Sequence, residues 1–136
     1  MNIIDVTCAI ILNGDKILVA QRGEKMDLPL KWEFPGGKIE QNETAENCLK
    51  REIIEELNIE IDLIQKLEFQ VHKYELFTIN LIPFICRYLS GEIYLIEHKC
   101  VRWLKKEELQ DLDWAPADIS VLDSFLKLNY DATRTL

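Results

Sequence analysis

Four acidic residues crowd one short stretch, Glu46 in AENCLK and Glu52, Glu55 and Glu56 in REIIEEL, a few residues after WEFPGGKIE. On a helix that turns about 100° per residue, Glu52, Glu55 and Glu56 share one arc, beside the arc of Leu49, Ile53 and Leu57. Glu46 lies apart and makes an ordinary surface pair with Lys50 four residues on. Like charges at these spacings cost roughly 0.2–0.5 kcal/mol per pair, and acids in a last turn oppose the helix dipole. Helix stability therefore disfavours the triplet, which leaves two readings. One is a solvated acidic face; the other is a site for a hard divalent cation such as Mg²⁺, which takes oxygen ligands and bridges to phosphates. Gly36-Gly37, placed after a short strand, fits the second reading because glycine lets backbone approach a ligand and offers carbonyl oxygens. The same pair also suits a plain tight turn.

The elements that must hold these residues can be read from the pattern around them. Ile3 to Leu12 is rich in β-branched residues, and Asn13-Gly14 signals a hairpin into Ile17 to Ala20. Trp32-Glu33-Phe34 reads as a short strand ended by Pro35-Gly36-Gly37, and Thr44 to Leu57 as a helix capped by Thr44 or Asn42. The stretch after Ile59 alternates and predicts two long strands joined near Lys73 to Glu75, with Pro83 at a bulge or an edge and Gly91 ending the pattern. Val101 to Leu104 is a last short strand, KKEEL one helical turn, and a helix from Pro116 buries Ile119, Leu122, Phe125 and Leu126. These elements make an α/β fold, a mixed β-sheet flanked by helices, in a single domain over residues 1–136. A chain of that length buries roughly 68% of its unfolded surface.

The net charge of −8 and isoelectric point near 4.8 argue against duplex nucleic acid as a partner, because phosphates need a basic surface. An anionic substrate that arrives with divalent cations escapes that objection. Cys8, Cys48, Cys86 and Cys100 form no C-x-x-C pair and no zinc spacing, so they read as free thiols, three of them within apolar runs. The N-terminus lacks a signal peptide and no apolar run approaches 18 residues, which implies a soluble, cytoplasmic protein with no membrane partner.

From Gly37 to Ile59, GKIEQNETAENCLKREIIEELNI resembles the Nudix box, G-x5-E-x7-R-E-U-x-E-E-x-G-U with U apolar. Gly37, Glu43, Arg51, Glu52, Ile53, Glu55, Glu56 and Ile59 match, and Asn58 stands where the pattern has its second glycine. That glycine follows the helix, where a left-handed residue is expected and Asn is the next most common occupant. Asn58 should therefore preserve the helix end and leave catalysis intact. WEFPGGKIE and the segment EHKCVRWLKKEELQDLDWAPADISVLDSFL extend the likeness to MutT-type enzymes and their CTP pyrophosphohydrolase branch.

The resemblance implies a Nudix fold and a Mg²⁺- or Mn²⁺-dependent hydrolase that converts nucleoside triphosphates, modified or surplus, to monophosphate and pyrophosphate by attack at the β-phosphorus. Glu52, Glu55, Glu56 and the Gly36 carbonyl would hold the metal, Arg51 would orient the carboxylates, and Glu43 would support Arg51. Glu97 aligns with a loop glutamate that contributes to metal binding or water activation, and equally reads as a surface acid; the adjacent His98 reads as positional. Arg22 and Lys38 match phosphate-contacting positions, although Lys38 also suits a solvated turn. Trp32 and Phe34 share a strand face and are either core or the lining of a base pocket. Asp118 occupies the place of a base-reading asparagine; as an ionised, acceptor-only group it would favour bases that present donors, and otherwise it is a first-turn acid serving helix N–H groups. Other substrates remain open: an oxidised guanine nucleotide alone, a nucleotide sugar or dinucleoside polyphosphate, or binding without turnover. The chain is expected to be a monomer or homodimer.

Overall fold

The computed structural model describes residues 2–130. Strand β1 (Ile3–Asn13) is the spine. Its residues from Thr7 to Leu12 are all buried, and their period of two divides them between two cores: Cys8, Ile10 and Leu12 face one side, Ala9 and Ile11 the other. Strand β2 (Lys16–Gln21) returns antiparallel after a turn that closes at Asn13 and Lys16, so the turn centres on Gly14 and Asp15, one residue later than the Asn-Gly signal suggests. Gly14 takes φ 63°, which a side chain would resist.

Short strands β3 (Trp32–Glu33) and β4 (Gly36–Lys38) pair with β2 and β1 respectively, both antiparallel. Helix α1 spans Ala45–Leu57. Thr44 caps it by accepting from the Asn47 N–H at 3.1 Å, and Asn58 ends it at φ 62°, ψ 32°, the left-handed conformation expected there. Leu49, Ile53 and Leu57 seal this helix onto Ala9, Ile11, Leu18 and Phe84.

Where two long strands are expected the chain makes three: β5 (Glu60–Lys66), β6 (Gln70–Lys73) and β7 (Thr78–Ser90). Strand β7 runs parallel to β1 on one side and antiparallel to β5 and then β6 on the other. Pro83 lies inside β7, not at an edge. Its carbonyl accepts from Leu67 N at 2.9 Å, after β5 has ended and before β6 begins. Proline has no N–H to return that bond to Leu67, so the ladder lapses here, between β5 and β6.

Strand β8 (Cys100–Lys105) pairs with β2, a 3-10 helix covers Lys106–Asp111, and α2 (Pro116–Lys127) closes the described fold. Ala117, Val121, Leu122 and Phe125 face the sheet from α2, whereas Ile119, expected inside, is 47% exposed because it falls on the opposite side of the helical turn. The sheet thus lies between α1 on one face and α2 on the other, the mixed α/β/α arrangement expected for the Nudix fold. Cys8, Cys48 and Cys86 are buried free thiols and Cys100 is half-buried. Among the described residues no helix is long and apolar enough to cross a membrane.

Candidate active site

Strand β4 carries the Gly-Gly pair across the middle of α1, beside Cys48 and Glu52. A Cβ on Gly36 would collide with the Thr7 carbonyl of β1, and one on Gly37 would collide with the Glu52 carboxylate of α1. Glycine is required here because backbone and carboxylate occupy the space of a side chain. Arg51 gathers most of the acids around it. Its guanidinium donates to Glu43 at 2.6 and 2.9 Å, to Glu52 at 2.9 Å and to Glu55 at 3.0 Å, with Glu40 at 3.6 Å. The bidentate bond from Arg51, joined by the Glu40 N–H, lowers the Glu43 pKa to about 2. The same bond raises that of Arg51.

Glu56 is the acid that Arg51 does not reach. Its Oε2 is sealed from solvent without a hydrogen-bond partner, and burial, then the charges of Glu33, Glu52 and Glu97, push its pKa up to about 9. Three elements, β3, α1 and the loop before β8, therefore bring carboxylates to one place. No three ligating side chains among the described residues form a ready-made metal cluster, since Glu52 and Glu55 are drawn onto Arg51. The donor set nevertheless fits a hard divalent cation: all oxygen, with an orphaned buried carboxylate oxygen that lacks a positive partner.

Beside this cluster, Glu33 is held at both oxygens, by Arg22 Nη1 at 2.7 Å and by His98 Nε2 at 2.7 Å. Asp118, at the start of α2, is 7% exposed and its Oδ2 accepts from the Phe34 N–H at 2.9 Å. Burial and then the nearby Glu33 charge raise its pKa well above 3.8. Tyr74 completes this corner, its hydroxyl accepting from the Ala117 N–H at 3.1 Å.

The NUDIX domain family matches the chain over residues 1–125. The chain belongs to the NUDIX family. It is 35% identical to the CTP pyrophosphohydrolase of Escherichia coli over 128 residues, 94% of this chain and 95% of that protein. It is also 35% identical over 114 residues to a putative 8-oxo-dGTP diphosphatase 2 of Mycobacterium tuberculosis, covering 83% and 81% of the two chains. The solution structure of the E. coli ORF135 protein superimposes with a TM-score of 0.82 at 34% identity, over 99% of this chain and 95% of that one. Nudix hydrolases need a divalent metal and act on small nucleotide substrates, and this chain is a hydrolase of that family.

The structure brings Gly37, Glu43, Arg51, Glu52 and Glu55 of the Nudix box together, with Glu56 near Glu52 and Glu55 exposed over 58% of its side chain, while Gly36, just before the box, packs against Thr7 and Cys8 of β1. Glu97 is exposed, and its charge is felt at Glu56. Lys38 is exposed at the end of β4. Arg22 is not a free cation: besides Glu33 it holds the Asp27 carbonyl. Phe34 is 2% exposed and stacks at 4.8 Å on Trp114, so its ring is core, and its backbone N–H is taken by Asp118. Trp32 is core as well, at 6%. Burial favours the neutral form of Asp118, in which the carboxyl offers a donor as well as an acceptor. Sequence reasoning missed Glu33. Its signal was an acid between two aromatics of one strand, which must face away from them toward α1.

Proposed function

We propose that this Nudix hydrolase converts nucleoside triphosphates to monophosphate and pyrophosphate with Mg²⁺ or Mn²⁺, acting on cytosine nucleotides and oxidised purine nucleotides. The observation that carries this reading is Glu56, a buried carboxylate oxygen with no partner, ringed by the acids Glu33, Glu52 and Glu97. A site so negative repels a bare triphosphate and suits one accompanied by divalent cations. In this reading Glu52, Glu55, Glu56, Glu97 and the Gly36 carbonyl hold the metal, which when bound neutralises phosphate charge and activates water. Arg51 fixes the box carboxylates, Glu43 locks Arg51, and Lys38 meets the phosphates from its exposed position. Arg22 serves the substrate while held by Glu33.

Asp118 supports the choice of bases. In the neutral form that burial favours, its carboxyl places a donor beside an acceptor, as an asparagine does. Cytosine offers the matching pair in its ring N3 and amino group, and oxidised guanine in its O6 and N7–H. One residue can therefore serve both nucleotide classes named among the relatives. The decisive assay measures pyrophosphate against orthophosphate released from dCTP, 5-methyl-dCTP, 8-oxo-dGTP and a nucleotide sugar, with and without Mg²⁺. Pyrophosphate from the first three, only with metal, is expected. Turnover of the nucleotide sugar alone would overturn the substrate class, and binding without turnover of any member would overturn the enzyme.

A further inference from the structure

The loop from Gly91 to Lys99 leaves β7 and enters β8 without a strand of its own. Its side chains Tyr94 and Ile96 are 66% and 62% exposed, while Ile93 and Leu95 pack partly buried against the core beneath α1. Polar contacts hold it at both ends. At the first end the Asn58 side-chain amide donates to the Glu92 carbonyl at 3.1 Å, and Tyr94 N donates to the Leu57 carbonyl at 3.0 Å. Both bonds reach the last turn of α1, the helix that carries Glu52, Glu55 and Glu56. A glycine at position 58 keeps the left-handed conformation and has no amide to donate, so this tether exists because the chain departs from the Nudix box there.

At the second end the His98 imidazole, 2% exposed, bonds Glu33 through Nε2, and Lys99 N donates to the Gln21 carbonyl at 2.9 Å. Gly23 lies so close to the Glu97 carbonyl that a Cβ would collide with it. The other oxygen of Glu33 is taken by Arg22, so His98 is tied to a point already fixed on β3. Burying this imidazole leaves Nδ1 without a partner, a cost that a leucine of similar volume would not incur. Packing alone does not account for a histidine here.

We propose that His98 and Asn58 are positioning residues that hold the Glu97 loop against α1 from its two ends, so that the Glu97 carboxylate stays beside Glu56. The proposal rests on the reading of Glu97 as a metal-site residue, and the two can fail separately. Variants H98A, H98Q, N58G and E97Q are compared by kcat and KM for dCTP, by affinity for Mn²⁺ alone followed by electron paramagnetic resonance, by thermal midpoint, and by amide exchange across residues 92–97.

H98A is expected to lose about tenfold in kcat and in Mn²⁺ affinity, within the range for residues that orient metal ligands, with KM changed far less. H98Q, whose amide can donate to Glu33, should recover most of that loss. N58G should speed exchange across 92–97 several-fold and lower kcat without a drop in thermal midpoint. Equal behaviour of H98A and H98Q overturns the role of His98. If H98A does not fold, N58G decides: unchanged exchange and kcat overturn the proposal. E97Q with full activity and full Mn²⁺ affinity overturns the reading of Glu97, whatever the exchange of the loop shows.

Discussion

Asp118 and Glu43 are both carboxyls within reach of positive charge, and the fold drives them in opposite directions. Glu43 has a guanidinium in bidentate contact, whereas Asp118 is buried with one neutral N–H and a like charge nearby. Because Asp118 has its pKa raised in the fold above the ordinary 3.8, the native state binds this proton more tightly than the unfolded chain does. Its contribution to stability is therefore complete below pH 3.8 and is lost as pH rises through the native value. Asp118→Asn keeps an oxygen for the Phe34 N–H and does not titrate. Thermal melts should show the variant gaining on the natural protein as pH rises from about 4, with the difference closing on acidification; a natural protein more stable than the variant at neutral pH would contradict this. The box residues were legible because their spacing on one helix fixes their neighbours in advance. The state of Asp118 was not legible, since it depends on Glu33 and Phe34, far away in sequence, and on burial that no local pattern reports.

Strand β4 is only Gly36–Lys38, yet its two glycines answer to different neighbours. Gly36 presses on β1 backbone, which cannot give way, and Gly37 presses on the Glu52 carboxylate, which can rotate aside. Gly36→Ala should therefore cost about 3 kcal/mol of stability, the upper range for overpacking. Gly37→Ala should melt nearly as the natural protein does and lose at least tenfold in kcat, because Glu52 is displaced from the site. Urea unfolding beside steady-state kinetics separates the two, and equal loss of stability in both would refute the distinction. Helix α1 was legible to within a residue, because Thr44 caps it, Asn58 ends it, and Leu49, Ile53 and Leu57 recur at helical spacing. The split between β5 and β6 was not. Alternation runs on through residues 67–69, and only the change of partner along β7 shows where one strand stops. Pro83 carried that signal in a form that sequence alone assigns equally to an edge.

Across the whole molecule, the net charge is −8, and the acids around buried Glu56 push its pKa up to about 9, so the metal-free protein carries a repulsion that a cation relieves. Mg²⁺ at a hundredfold over its dissociation constant should stabilise the fold by about 2.7 kcal/mol, visible as a rise in thermal midpoint. NaCl at matched ionic strength should give far less. Glu56→Gln should raise the metal-free midpoint and remove most of the Mg²⁺ response; an equal response to both salts would show general screening instead. The pairing of β1 with β7 has a different consequence, one for the order of assembly. Ile3 meets Thr78 and Leu12 meets Arg87 in parallel, so the spine finds its partner only after β2, the glycine strand, α1, β5 and β6 have been made. Such a distant pairing raises contact order and slows folding. During synthesis the apolar run Thr7–Leu12 waits without its long neighbour, and the acidic helix, which leans on that spine, can settle only when residues near 87 have left the ribosome.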